Sequence, residues 1–412
     1  MFVEQSFPAY CTKSRRPLQQ HIFFLLHNSC KTLRQLSQIH AHITTNGFSQ
    51  KSFILVKLLA LYTSFNNFPC AGRVFDQVPN PSTALWNQII RGYSIGGNQR
   101  KSVELFNNMV HSLSLPDDYT YNCVINGCAK GRMLREGEQV HGKVFKSGFC
   151  SNVYVTTSLV DFYVKSGEKD GVGKAKQVFD EMGEKNVVTW NSLLSGCFRC
   201  GDADGARRVF EEMPERNLVS WTTMIAGCAQ NGRCKEALAL FQEMQRENVE
   251  FDQVTLVAVL SACAELGDLN LGKWIHSYVF ESFTYRNQPV LISLKNALIH
   301  MYASCGEIEA AFGIFKRMDQ RTTVSWTSMI TGFAKHGYGE EAISVFQWME
   351  SVEETNVRPD EITFLGVLCA CSHSGYVKKG RRYFRTMIDT WGIEPRIEHF
   401  GCMVDLLSRA DY

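Results

Sequence analysis

The sequence predicts an all-α fold, an α-solenoid of stacked helix–turn–helix hairpins, and three observations carry that prediction. A Trp, a Gly and an Ala-x3-Phe-x2-Met run recur at fixed phase along the chain. Apolar residues on either side of the recurring Gly fall at helical spacing. The scaffold phases recur, while the fifth and last residues of each unit vary.

With Trp190 counted as the fourth residue of its unit, units begin at Thr83, Asp118, Val153, Val187, Leu218, Gln253, Ile292, Thr323, Glu361 and Ile397. Two weaker ones begin near Gln20 and Ser52. The fourth residue is Trp86, Trp190, Trp221 or Trp326 in four units, and the fifteenth is Gly in eight: Gly97, Gly167, Gly201, Gly232, Gly267, Gly306, Gly337 and Gly375. The stretch WNSLLSGCF before the Gly and ARRVFEEM after it are both amphipathic at the helical period. A Gly between two such segments is where a helix ends and the chain reverses. A hairpin of this kind cannot bury its apolar faces alone, so neighbours stack. Trp, Phe and Met at fixed phase are therefore expected in the core, and the small Ala at the twentieth place is expected to let the two helices approach.

Composition narrows the class. The chain of 412 residues is 45% hydrophobic with net charge +2. Its longest apolar stretches, FILVKLLALY and LVAVLSACAEL, are too short to span a bilayer, so no membrane partner is expected. Residues 1–75 hold eight basic residues and one acid, Glu4, which leaves 35 basic against 40 acidic residues in the remainder. That basic, acid-poor start resembles an organelle transit peptide, which would fit within residues 1–19. Of the fifteen cysteines, Cys30, Cys128, Cys197, Cys228, Cys263 and Cys371 share the eleventh place, where other units put Tyr93, Tyr163, Tyr302 or Phe333. A position that takes Cys or an aromatic is a packing site. Cys197 and Cys200 stand alone, without the second pair that zinc requires, and free thiols suit a reducing compartment.

Unit lengths alternate, and a polar residue follows each Trp: Asn87, Asn191, Thr222 and Thr327. Tetratricopeptide units instead keep a period of about 34 residues with Leu-Gly after the Trp. From about residue 20 onward the chain resembles a plant pentatricopeptide repeat protein of the subclass that mixes P, L and S repeats. The units at Thr83, Leu218 and Thr323 resemble P repeats. Those at Asp118, Gln253 and Glu361 resemble L repeats, with G-x3-H in GEQVH and GKWIH, and short ones such as LKNALIHMYASCGEIEAAFGIFKRM resemble S repeats. The resemblance implies a right-handed superhelix with two divergent repeats over 20–82, nine units over 83–396 and an incomplete S-type repeat over 397–412.

The resemblance also implies a function: sequence-specific binding of single-stranded organellar RNA, one base per repeat, through the fifth and last residues of each unit. A carboxylate at the last place accepts the ring N–H of uracil or guanine, whereas an Asn amide donates to the bare ring nitrogen of adenine or cytosine. On the family's pattern Asn at the fifth place goes with pyrimidines, and Ser or Thr with purines. Asn87/Asp117 then implies U, Asn122/Asn152 a pyrimidine, Thr157/Asn186 A, and Asn191/Asn217 C or U. Thr222/Asp252 implies G, Asn296/Thr322 a pyrimidine and Thr327/Asp360 G, while Val257/Leu291 and Leu365/Arg396 read nothing. The expected core is U-Y-A-Y-G-N-Y-G, 5′ to 3′. Val188, Val219, Val254 and Val324, at the second place, would sandwich successive bases.

None of the eleven histidines begins an H-x-E, which deaminase zinc chemistry requires. The expectation is a non-enzyme without cofactor, serving C-to-U editing with a deaminase-domain protein and other factors in trans. The site of action would be a mitochondrion or plastid, the former slightly favoured. Transcript protection and, in a different class, a tetratricopeptide-like protein scaffold are the alternatives. His141 and His276 share one phase and read as packing or polar helix residues. The unit at Ile397 reaches only its sixteenth residue at Tyr412, as expected of a truncated C-terminus exposing Met403, Val404, Leu406 and Leu407.

Overall fold

The computed structural model describes residues 15–167, 170–285, 289–352 and 357–409, and every regular element among them is helical. The chain forms two compact units, Met1–Cys200 and Gly201–Tyr412. In the first, α1 (Arg15–Phe24) runs into a π-helical turn (Leu25–Ser29) and pairs with α2 (Leu33–Thr45). Next come α3 (Ser52–Ser64) with α4 (Phe68–Asp76), and α5 (Thr83–Ile95) with α6 (Gln99–His111). They are followed by α7 (Asp118–Gly131) with α8 (Leu134–Lys146), α9 (Val153–Lys165) with α10 (Gly171–Glu181), and α11 (Val187–Arg199). The second unit holds α12 (Ala203–Glu212), then α13 (Leu218–Gln230) with α14 (Cys234–Arg246), and α15 (Gln253–Leu266) with α16 (Leu269–Tyr285). It closes with α17 (Ile292–Ser304) and α18 (Ile308–Lys316), α19 (Thr323–Lys335) and α20 (Gly339–Ser351), α21 (Glu361–His373) and α22 (Val377–Asp389), then α23 (Ile397–Ser408). Within each unit, from α3 onward, first helices pack on their own second helix and on the next first helix, as in α5 with α6 and α7, or α19 with α20 and α21. Each unit is thus a run of stacked hairpins, the solenoid arrangement.

Two glycine phases shape the stack for different reasons. The fifteenth-place glycines all lie in the left-handed region, with φ from +67° at Gly375 to +92° at Gly97, and an added Cβ there would meet open space. Backbone conformation, not room, selects Gly at that turn. Two units fill the same place with Asn66 (φ 56°) and Arg132 (φ 50°), which must hold the left-handed conformation with a side chain attached. The tenth-place glycines answer to space instead. A Cβ on Gly127 would come within 3.1 Å of Ser94 Oγ, and one on Gly332 within 2.9 Å of Ala303 Cβ. In both cases the neighbour is the twelfth residue of the preceding first helix, so Gly lets consecutive first helices approach closely.

Successive hairpins are joined by an aromatic step. The Phe of one unit meets the Trp of the next edge-on: Phe75–Trp86 at 4.6 Å, Phe179–Trp190 at 4.7 Å, Phe210–Trp221 at 4.9 Å and Phe315–Trp326 at 5.0 Å between centroids. Such pairs contribute about 0.5–1.5 kcal/mol beyond their burial. Trp86, Trp221 and Trp326 are buried, whereas Trp190 is half-buried.

Second helices differ in length, and different residues end them. The 13-residue helices α2, α6, α8, α14 and α22 are followed by a left-handed turn at Gly47, Leu113, Gly148, Asn248 and Gly392. The shorter α12 and α18, of 10 and 9 residues, are closed by an Arg that folds back. Arg216 Nε donates to Phe210 O (3.0 Å) while its guanidinium lies 4.6 Å over the Phe210 ring; Arg321 does the same at Phe315 (3.1 and 4.9 Å).

Two expectations need correction. Leu406 is fully buried, because a side chain on Gly380 of α22 would collide with it; of the four apolar residues expected to be exposed, only Val404 is. Cys30 follows the π-helical turn and is half-buried, because the first helix begins at Arg15 and has ended before the eleventh place is reached. Cys128, Cys228, Cys263 and Cys371 are buried and burial pushes each thiol up to about 12, as packing residues require. Among the described residues no helix is long and apolar enough to cross a membrane.

Candidate nucleic-acid interface

Places two, five, nine and thirteen of a first helix are three or four residues apart and so share one helix face. The second place is exposed throughout: Val188, Val219, Val254 and Val324 are 54–61% exposed. Tyr119, Tyr154 and Ile362 occupy the same phase in their units and are equally open, completing an apolar comb that the four valines only sample.

The last residue of a unit is the N-cap of the next first helix. Asp117 caps α7, Asn152 α9, Asn186 α11, Asn217 α13, Asp252 α15, Thr322 α19 and Asp360 α21. Short polar side chains at helix starts satisfy orphan backbone N–H groups. In the Asp caps, one oxygen does this work. Asp252 Oδ1 accepts from Thr255 N and Thr255 Oγ1, both at 2.9 Å, and Asp360 Oδ1 from Thr363 N (2.8 Å) and Oγ1 (2.7 Å). Among the described residues nothing donates to Oδ2 of either. Where the cap is Asn186, its Oδ1 takes Thr189 N and Oγ1 at 2.9 Å, leaving the Nδ2 amide to donate. Capping thus uses up the atom that Asp and Asn share, and presents the one in which they differ.

The hydroxyl at the third place also reaches the fifth residue of the preceding unit. Thr157 Oγ1 lies 2.6 Å from Thr189 Oγ1, Thr222 Oγ1 2.7 Å from Thr255 Oγ1, and Thr327 Oγ1 2.7 Å from Thr363 Oγ1. Each fifth-place Thr is therefore tied to its last-place partner, Asn186, Asp252 or Asp360, through one buried Thr. Asn87 is long enough to meet its partner directly. Its Nδ2 donates to Asp117 Oδ1 and Oδ2 at 2.9 and 3.0 Å, while Thr120 Oγ1 donates to Asn87 Oδ1. Burial pushes the Asp117 carboxyl up, but hydrogen bonds from Thr120 and Asn87 outweigh it and hold the group below the usual carboxylate range. Asn296 Nδ2 meets Thr322 Oγ1 at 3.4 Å, and Ser325 Oγ donates to Asn296 Oδ1 at 2.7 Å.

Two pairs behave differently. Asn122 and Asn152 are not bonded to each other: Ser158 Oγ donates to Asn122 Oδ1, and Asn152 Nδ2 turns to Asp118 Oδ2 at 3.4 Å. The third place there is Val155, which has no hydroxyl to relay. Asn191 belongs to the first compact unit and Asn217 to the second. Asn191 is half-buried, and Asn217 Oδ1 accepts from Ser220 N (3.0 Å) and Oγ (3.1 Å).

The relay hydroxyls Thr120, Thr189, Thr255, Ser325 and Thr363, all fully buried, were missed in reading the sequence. Their signal was there: Ser or Thr recurs at the third place. Cations at the thirteenth place were missed too. Lys130, Arg199 and Lys335 are exposed, and Lys165 pairs with Asp161 at 2.7 Å. They bring positive charge to the same helix face in a chain with almost none to spare. His141 and His276 touch no part of this face. Each sets Nδ1 2.9 Å from a Tyr hydroxyl of the next first helix, Tyr163 and Tyr302, and His40 repeats the contact with Tyr62 at 3.0 Å.

The PPR repeat family model matches residues 81–130, 185–219, 216–265 and 321–373, and a further PPR repeat model matches 119–149 and 295–322. A pentatricopeptide repeat-containing protein of Arabidopsis thaliana, named as chloroplastic/mitochondrial, is 38% identical over 94% of this chain, which spans 56% of that protein's length. Another from the same plant, named as chloroplastic, is 44% identical over 93% of this chain and 82% of its own. Among solved structures, the pentatricopeptide repeat protein PPR10 in complex with an 18-nt psaJ RNA element is similar in fold, with a TM-score of 0.61. Its sequence is 18% identical, and the match covers 94% of this chain and 63% of that one.

Proposed function

The chain belongs to the pentatricopeptide repeat family, and from that premise we propose that it binds single-stranded RNA, one base per repeat, through the fifth and last residues of its units. The observation that carries this reading is the division of labour at the caps. Helix capping occupies Oδ1 of Asp252 and Asp360, and Oδ2 remains to accept a ring N–H. At Asn186 the remaining atom is a donor, suited to a bare ring nitrogen. Exposed Val188, Val219, Val254 and Val324 offer faces on which bases stack, and the thirteenth-place cations offer charge to phosphates.

The finer reading is a site-recognition factor for C-to-U editing in a plant mitochondrion or plastid, with the deaminase supplied in trans. Its support is the P-, L- and S-like unit mix, the lack of H-x-E, and the organellar names of similar plant proteins. The decisive experiment is a gel-shift titration with RNA carrying U-Y-A-Y-G-N-Y-G, against RNAs in which either G is replaced by A. Each good pair is expected to discriminate by about 1–3 kcal/mol. A chain with both Thr222→Asn and Asp252→Asn should lose preference at the first G alone. Equal affinity for all RNAs would defeat the reading and favour a protein ligand in the groove.

A further inference from the structure

Two cysteines, Cys369 and Cys402, face each other across a helix pair. Helices α21 and α23 pack side by side and run in the same direction. At their N-terminal ends Arg396 pairs with Glu361 (2.6 Å), and His399 Nε2 lies 2.8 Å from Glu361 O; toward their C-terminal ends Ser372 Oγ donates to Asp405 Oδ2. One turn back from Ser372 and Asp405, by three residues on each helix, stand Cys369 and Cys402. The register that joins the first pair brings the second together, and the two thiols are hydrogen-bonded to each other. Both are half-buried, so small reagents reach them. By contrast, burial holds the thiols of Cys128, Cys228, Cys263 and Cys371 protonated.

We propose that Cys369 and Cys402 form a reversible dithiol/disulfide site that a low-molecular-weight disulfide oxidises, stapling α23 to α21. Cys369 is the attacking group. The Cys402 hydrogen bond, opposed by burial and aided by nearby His373 and Arg409, holds its thiol well below the ordinary range, while Cys402 is pushed up. Cys369 gives up its proton and its thiolate attacks one sulfur of the small disulfide, forming a mixed disulfide and expelling one thiolate, which takes up that proton. Cys402 then loses its proton, and its thiolate attacks Cys369 Sγ; the new S–S bond expels the second small thiol, which carries the proton away. Two electrons pass from the protein to the small disulfide, and two small thiols are released. Cys369 is the ninth residue of its unit and shares a helix face with Ile362 and Leu365. The staple therefore lies on the candidate interface, at the unit whose Leu365/Arg396 pair reads no base.

The test incubates the full chain with oxidised glutathione, blocks remaining thiols with an alkylating reagent and maps peptides by mass spectrometry. The expected result is a Cys369–Cys402 cross-linked peptide in most molecules, lost on reduction. Cys402→Ser should instead accumulate a glutathione adduct at Cys369, whereas Cys369→Ser should leave Cys402 unmodified. Amide exchange in α23 should slow on oxidation of the unaltered chain and not of either variant. Alkyl label on both cysteines, or glutathione confined to exposed Cys200, would overturn the proposal without any variant being needed.

Discussion

Asn87/Asp117 and Thr327/Asp360 end in the same carboxylate and rest in different states. In the first, the Asn amide spans the gap and donates to both oxygens of Asp117, so the pair is closed on itself. In the second, the shorter Thr reaches only the hydroxyl of Thr363, and Asp360 Oδ2 stays open. The difference is one of side-chain reach. A ligand at the first pair must replace a hydrogen bond already made, while one at the second finds its acceptor prepared. Hydrogen bonds to charged groups contribute about 1.5–3 kcal/mol, so the closed pair carries an opening cost of that order that the open pair lacks.

Removing the relay should separate the two sites most. Thr120→Val leaves Asn87 Oδ1, in a residue only 7% exposed, without its donor, and Asp117 N without its acceptor. An unsatisfied buried acceptor costs about 1–3 kcal/mol, so the thermal midpoint should fall clearly. Thr363→Val removes a hydroxyl whose partner Thr327 can donate elsewhere, and the midpoint should fall by about half as much on the same scale. Equal losses would mean that the closed network is no more constrained than the open one.

Asn87→Thr should convert the closed pair into the open kind. The Asp117 carboxyl then loses its amide donors and moves up, which an NMR titration of the Asp117 side chain reads directly. Under the proposed function the preferred base at that position changes from U to G. An unmoved carboxyl would show that Thr120 alone sets its ionisation.

Acid sharpens the same comparison. Asp117 is depressed below its ordinary 3.8 in the folded chain. Its contribution to stability is therefore fully present above that value and is lost as pH falls through the lower folded value. Asp117→Asn should flatten the stability profile of the first compact unit below about pH 4, measured by denaturant unfolding across pH. A profile that does not change would place the acid sensitivity in other carboxylates.

The smallest effect lies outside both sites. Arg132 holds φ 50° where eight other units place Gly. Arg132→Gly should stabilise the chain by about 1 kcal/mol, since relief of the left-handed conformation exceeds the added flexibility of Gly. A fall in thermal midpoint would mean that the Arg side chain contributes contacts worth more than the strain.

What the sequence determined by itself was everything that repeats. Glycine at the fifteenth place, an aromatic at the fourth and a helical period on both sides sufficed for hairpins and their stacking, because each requirement is local and recurs along the chain, the glycine in eight units. The buried cysteines and the Phe–Trp steps follow from the same phase. The tertiary structure alone decided what the variable letters do in the folded chain. Asp117, Asp252 and Asp360 are identical in sequence position, and only the neighbouring helix shows that the first is engaged and the others open. The same holds for Leu406, buried by a glycine 26 residues earlier, and for Cys369 with Cys402, brought together by a register that neither local sequence contains. Secondary structure answers to the chain's own period; a side chain's hydrogen bonds answer to whichever atoms the next hairpin places within reach.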